Sequence, residues 1–125
     1  MDDSLRREIA AFYDGYMAAF RAGDAAALAG MVATPLARIG ADAVELVAAA
    51  PSPTALNART GWADTVAVDF VVLDATAARA HIRLNRAVRV RADGSPIETI
   101  AGFYALTRQP DGWKILAVSV VATPA

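Results

Sequence analysis

The sequence predicts an α+β fold in which helices cover one face of a curved antiparallel sheet. Three observations carry this. Apolar residues in the first 22 positions recur at helical spacing, and from position 65 onward they alternate at period two. The turn signals Asp93-Gly94 and Pro110-Asp111-Gly112 fall between the alternating runs, as in a meander.

Residues 4–22 read as a helix. Leu5, Ile9, Phe12, Tyr16 and Phe20 form one apolar stripe, with Tyr13 and Met17 alongside. Asp3 or Ser4 can cap its start, and Gly23 can end it in the left-handed conformation. Asp24 then caps a second helix over 25–33, with Leu28, Met31 and Val32 inward, stopped by Thr34-Pro35. Leu36–Ile39 and Ala43–Val47, joined by Gly40-Ala41-Asp42, form a short hairpin, although the alanines of 41–50 suit a helix equally well. Ser52 followed by Pro53 is a cap and a first-turn proline, starting a third helix that runs to about Thr60 and stops at Gly61.

Four strands follow. Thr65–Leu73 places Val66, Val68, Phe70 and Val72 on one side. Arg79–Arg91 places Ile82, Leu84, Arg86, Val88 and Val90 on one side, and Arg79, His81, Arg83, Asn85, Arg89 and Arg91 on the other. Ile97–Thr107 and Trp113–Val121 complete the meander, for three helices and about six strands in all. On the last two strands both faces are apolar. Phe103, Ala105, Leu116, Val118 and Val120 alternate with Tyr104, Leu106, Trp113, Ile115 and Ala117. One helical layer covers only one such face, so a homodimer through the other is expected, with Val118 facing the partner.

The 125 residues suit one domain, 1–125. Twelve basic and 13 acidic residues leave a net charge of −1, and 56% of the chain is apolar. This composition excludes intrinsic disorder and argues against nucleic acid or a membrane as partner. There is no cysteine and a single histidine, so no metal and no cofactor is expected. No apolar run reaches the roughly 18 residues of a membrane helix. The charged first 20 residues are not a secretory signal, so a soluble, cytoplasmic protein is expected. Thirty-one alanines, with arginine in 11 of the 12 basic positions, read as the coding bias of a GC-rich genome.

Three stretches carry a resemblance. The chain opens with Phe12-Tyr13, Tyr16 and Phe20-Arg21-Ala22-Gly23-Asp24, continues with the strand order above, and ends with Phe103-Tyr104-Ala105-Leu106 and Asp111-Gly112-Trp113-Lys114-Ile115. In this order it resembles the nuclear transport factor two-like superfamily, which includes SnoaL-like polyketide cyclases and ketosteroid isomerases. The resemblance implies a cone: a bent sheet wrapped around the long first helix, a pocket at the open end, and dimers through the convex face. It says nothing specific about activity, because this fold hosts enzymes and non-enzymes.

Against that family, Tyr16 matches the tyrosine that donates to a substrate oxyanion in the isomerases; otherwise it is a core tyrosine. The isomerase base falls near Gly40, leaving Asp42 as the nearest carboxylate, at a hairpin tip. The second oxyanion donor falls near Gly102 and Phe103 and is missing. His81 lacks a visible carboxylate partner. Arg86 interrupts an apolar strand face, so unless a bulge intervenes it points into the cone, toward an anion or out to water at the rim. Arg89 is expected to pair with Glu98 across the strands. The expected ligand-binding set is Tyr13, Tyr16, Phe20, Trp62, Arg86 and Tyr104, with Trp62 at the pocket mouth. The leading function is a binding module with an apolar pocket for a small apolar, anionic or carbonyl molecule. An acid–base enzyme of the isomerase, cyclase or dehydratase type and a non-catalytic interaction dimer are the alternatives.

Overall fold

A computed structural model describes residues 1–125. The first helix, α1, spans Asp3–Ala22. Its cap is Asp2, earlier than either expected residue: the carboxylate accepts the Leu5 amide at 2.8 Å. Gly23 ends α1 at φ 68°, where the amides of Gly23 and Asp24 bond the Phe20 and Ala19 carbonyls. The second helix, α2, covers only Ala25–Ala29, and strand β1 begins at Val32, inside the stretch expected to be helical. The sheet competes successfully for this segment. The Ile115 amide bonds the Met31 carbonyl at 2.9 Å, and Val32 and Ala33 are buried. Pro35 lies within β1 (Val32–Ile39), where the ladder to the neighbouring strand is interrupted between Val32 and Ala37. A residue without an N–H is tolerated there.

Strand β2, Val44–Val47, pairs with β1 as an antiparallel hairpin, so 44–47 is strand rather than helix. Helix α3, Pro53–Thr60, begins and ends as expected. The Ser52 hydroxyl accepts the Ala55 amide at 3.1 Å, and Gly61 closes at φ 79°. Strands β3 (Asp64–Ala75), β4 (Arg79–Val90), β5 (Pro96–Gln109) and β6 (Gly112–Pro124) form the meander. The six strands make one sheet in the order β2-β1-β6-β5-β4-β3. Every neighbouring pair is antiparallel except β1 and β6, which run parallel.

The sheet curves round α1. Ile9, Tyr13, Tyr16 and Ala19 of that helix bury themselves against Val72, Ala80, Ile82, Leu84, Tyr104, Leu106, Trp113 and Ile115. Bulges produce the curvature. The β3–β4 ladder shifts between Val66 and Asp69, where Ala67 adopts φ 53°. The β4–β5 ladder shifts between Leu84 and Ala87, and the β5–β6 ladder between Ala105 and Leu106. Each shift exchanges the faces of the residues beyond it. On β4 the inward set changes from Ala80, Ile82 and Leu84 to Ala87 and Arg89; on β6, Ile115 is followed inward by Val118 and Val120.

Val118 therefore lies on the concave side, opposite Tyr104, not on the outer face where strict alternation had put it. The outer face instead exposes Phe103, Leu116 and Val121, at 38%, 37% and 67%. No helix is long and apolar enough to cross a membrane.

Candidate functional site

A cavity of about 580 Å³ opens on the concave side beyond the bulges. Tyr16, Met17 and Phe20 from the last turns of α1 form one wall. Ile100 and Tyr104 of β5 with Val118 and Val120 of β6 form another. The end of β1, the segment 49–52 and α3 close the side. Fourteen of the 21 lining residues are hydrophobic, and the volume suits a ligand of roughly drug size.

The polar lining is unbalanced. Arg38, Arg59 and Arg89 reach the cavity, while no carboxylate and no imidazole lines it. Arg89 is deep. Its Nη1 donates to Glu98 Oε2 at 2.7 Å, and both side chains are only 18% exposed. Its Nε is buried without a partner. Arg38 and Arg59 are exposed and join no ion pair. Burial pushes the Tyr16 phenol well above the ordinary tyrosine value and raises that of Tyr104, while the nearby Arg89 charge acts in the opposite sense on both, as does the neighbouring Tyr13 hydroxyl on Tyr104. Both phenols stay neutral near pH 7, able to donate a hydrogen bond and unable to serve as a base. The Thr65 hydroxyl, also on the lining, already accepts the Trp62 indole N–H at 2.9 Å.

Of the expected ligand residues, Tyr16, Phe20 and Tyr104 line the cavity. Tyr13 does not. It is fully buried behind the wall, packed against Tyr104 and Phe70 with ring centroids 5.0 and 4.6 Å away. Its apolar neighbours on the helix put it at the centre of the stripe rather than on the cavity edge. Trp62 does not line the mouth either. Its ring stacks edge-on against Phe20 at 5.2 Å, so it supports a lining residue from behind. Asp42 is exposed in the β1–β2 turn, beside Arg38 in a small surface groove and off the cavity lining.

Arg86 is a correction with a definite cause. Asn85 and Arg86 occupy the β4 bulge, and Arg86 is exposed, paired in register with Asp69 rather than facing α1. Past the bulge, alternation resumes one residue out of step, and Arg89 takes the inward position. The Arg89–Glu98 pairing across the strands is as expected; the face it occupies is not. Sequence reasoning did not single out Arg38 and Arg59. Both come from segments that meet the cavity only through tertiary packing, so local periodicity held no signal for them.

Other polar clusters lie elsewhere. His81 Nδ1 meets Asp74 Oδ1 at 2.8 Å, with Phe103 5.1 Å from the imidazole, on the outer face. A histidine–carboxylate pair does exist, therefore, but away from the cavity. Glu8 accepts from Trp113 Nε1 and from Arg108 Nη2, both at 3.0 Å. Buried Lys114 donates to the Gly30 carbonyl and to Asp111. No group of three or more His, Asp or Glu side chains gathers as metal ligands would.

A family model described as "NTF2-like protein (DUF6841)" matches residues 7–123. No curated protein matches the chain. Among solved structures, a dehydratase candidate of the NTF2-like family from Streptomyces avermitilis aligns at TM-score 0.71 and 14% identity. The alignment covers 98% of this chain and 99% of that one. An NTF2-like protein of unknown function in nutrient uptake from Rhodospirillum rubrum aligns at TM-score 0.64 and 24% identity, over 92% and 98%. A cystatin-like fold protein from Burkholderia xenovorans aligns at 0.68 and 19%, over 99% and 95%. At these identities the likeness is one of fold.

Proposed function

We propose, for a chain that belongs to the NTF2-like protein family DUF6841, that the concave cavity binds a small molecule with an apolar body and an acidic group. One observation carries this reading: a mostly apolar lining that includes three arginines and no carboxylate. Arginine keeps its proton, so the lining is cationic at every physiological pH. The binding reading is favoured over acid–base catalysis because the lining offers hydrogen-bond donors and no group poised to take a proton. A missing positioned base forfeits roughly a hundred- to ten-thousand-fold in rate. An unsaturated ketosteroid should therefore isomerise slowly if at all, and turnover near that of a dedicated isomerase would sink the reading.

Calorimetry with decanoate and decylamine tests the binding itself. The two share an apolar chain and differ in charge. Decanoate should bind and decylamine should not. Equal affinity would mean that the arginines do not read the ligand.

The partner is proposed on separate grounds. Phe103, Leu116 and Val121 are exposed together on the outer face of the last two strands, which suits a homodimer. Sedimentation equilibrium should give twice the monomer mass, and Val121→Asp should return the monomer. A monomeric wild type would remove the proposal.

A further inference from the structure

The three arginines are not equivalent, and the difference specifies the ligand more closely. Resting on the binding reading above, we propose that the ligand is bifunctional: a neutral oxygen acceptor, such as a ketone or ester carbonyl, lies deep beside Arg89, and the acid stays at the mouth with Arg38 and Arg59.

The deep end comes first. Glu98 at 2.7 Å neutralises Arg89, and both side chains are largely withdrawn from water. A ligand carboxylate brought there would meet Glu98 as well as Arg89, placing two like charges on one guanidinium in a poorly solvated site. A neutral carbonyl escapes that repulsion. It also meets the chemistry it needs, because the deep polar groups of the lining are donors. Arg89 uses Nη1 on Glu98 and leaves Nη2 without a partner in the chain, and the Tyr16 and Tyr104 phenols remain protonated.

The mouth is the reverse. Arg38 and Arg59 are exposed and form no ion pair: Glu45 stands opposite Arg38 across the β1–β2 hairpin and Asp42 shares its groove, but neither is within ion-pair distance, so both guanidiniums are free to take up an anion. They come from different elements, β1 and α3, on the same cavity. An acid held between them keeps much of its hydration, so each contact is weak but neither carries a desolvation penalty. Between the two ends Ile100, Val118, Val120 and Phe20 supply an apolar wall for the ligand body.

The test uses three ligands of equal chain length: decanoate, 9-oxodecanoate and methyl octyl ketone. On the wild type, 9-oxodecanoate should bind about fivefold more tightly than decanoate, the value of one neutral hydrogen bond. The double variant Arg89→Met with Glu98→Met removes the pair without leaving a lone buried charge. It should erase the gain from the ketone and keep the preference for 9-oxodecanoate over methyl octyl ketone, which differ only in the acid. Arg38→Met with Arg59→Met should do the opposite, keeping the gain and losing the preference. If the first double variant fails to fold, Glu98→Gln serves instead. It frees the Arg89 charge, so it should tighten decanoate and shrink the advantage of 9-oxodecanoate. Loss of the acid preference on removing Arg89 and Glu98 would put the acid at the deep end and overturn the proposal. So would a wild type indifferent to the ketone, or a Glu98→Gln variant in which the advantage of 9-oxodecanoate over decanoate is undiminished. These failures leave the binding reading standing; only failure of decanoate itself to bind the wild type removes both.

Discussion

The two ends of the sheet obey one rule on opposite terms. At the closed end, Ala80, Ile82 and Leu84 alternate inward from β4 and meet Ile9 and Tyr13 of α1 in a filled core. At the open end, beyond the bulge at Asn85 and Arg86, the same strand turns Ala87 and Arg89 inward, and a cavity lies there instead. β6 makes the same change after Ile115. Beyond the displaced register the cavity is lined in part by Arg89, Val118 and Val120, which strict alternation assigns to the outer face. The site and the break in periodicity share one cause.

The first way to break this contrast is to truncate a side chain at each end. Leu84→Ala, at a fully buried position, should cost about 3 kcal/mol in urea unfolding. Val118→Ala, already beside open space, should cost about 1 kcal/mol or less. Equal losses would mean that the open end is packed as firmly as the closed one.

Gly102 sits at the boundary, opposite Leu84 on one side and Val120 on the other. A Cβ there would lie 2.9 Å from the Ser119 carbonyl oxygen and 3.2 Å from Val120 Cγ2. Backbone cannot retreat as a side-chain tip can, so Gly102→Ala should destabilise by about 2 kcal/mol and shrink the cavity. A neutral thermal shift would show that the strands part easily at the bend.

Val118→Asp sharpens the contrast between concave and convex faces. Placed in the cavity, the aspartate adds a negative charge beside an acidic ligand. Decanoate binding should fall at least tenfold, with the sedimentation mass unchanged. A loss of mass with binding intact would return Val118 to the outer face.

The smallest effect concerns the link between the two walls. Arg21, in the last turn of α1, bonds Asp64 at the start of β3 at 2.7 and 3.2 Å. The Arg21 side chain holds the Asp64 carboxyl below the ordinary aspartate range. A depressed value stabilises the fold above the unfolded-state pKa, and that contribution is lost as pH falls through the folded one. The pair is half-exposed, so the effect is slight. Asp64→Asn should lower stability slightly near neutrality and flatten the acid limb of a stability-against-pH curve below about pH 4, where it converges with the wild type. An identical acid limb would show that the pair contributes nothing.

What could be read in the sequence follows the same divide. The helical stripe of α1, the Ser52-Pro53 start of α3 and the turns at Asp93-Gly94 and Pro110-Asp111-Gly112 are local signals, and each appears where expected. Tyr16, Phe20 and Tyr104 reach the cavity because they lie on elements whose periodicity holds. Arg86 and Val118 were misplaced because a bulge costs one residue and leaves no mark in an alternating pattern of Arg, Ala and Val. Tyr13 and Trp62 were misplaced by depth, which periodicity does not report. Val32 and Ala33 went into a helix because their burial comes from β6, more than 80 positions away.

β6 lies between β1 and β5, so the last of these six strands in chain order is an interior one. Until it arrives, the nascent chain holds a two-stranded hairpin and a three-stranded ribbon with nothing joining them along the sheet. Each piece presents a bare edge, and such edges recruit other chains. The slow event in folding should be the insertion of β6, a contact of long sequence separation. Chains stalled before it would be the ones that chaperones meet, and a weakened β6 should show first as poor yield rather than as a lowered melting temperature.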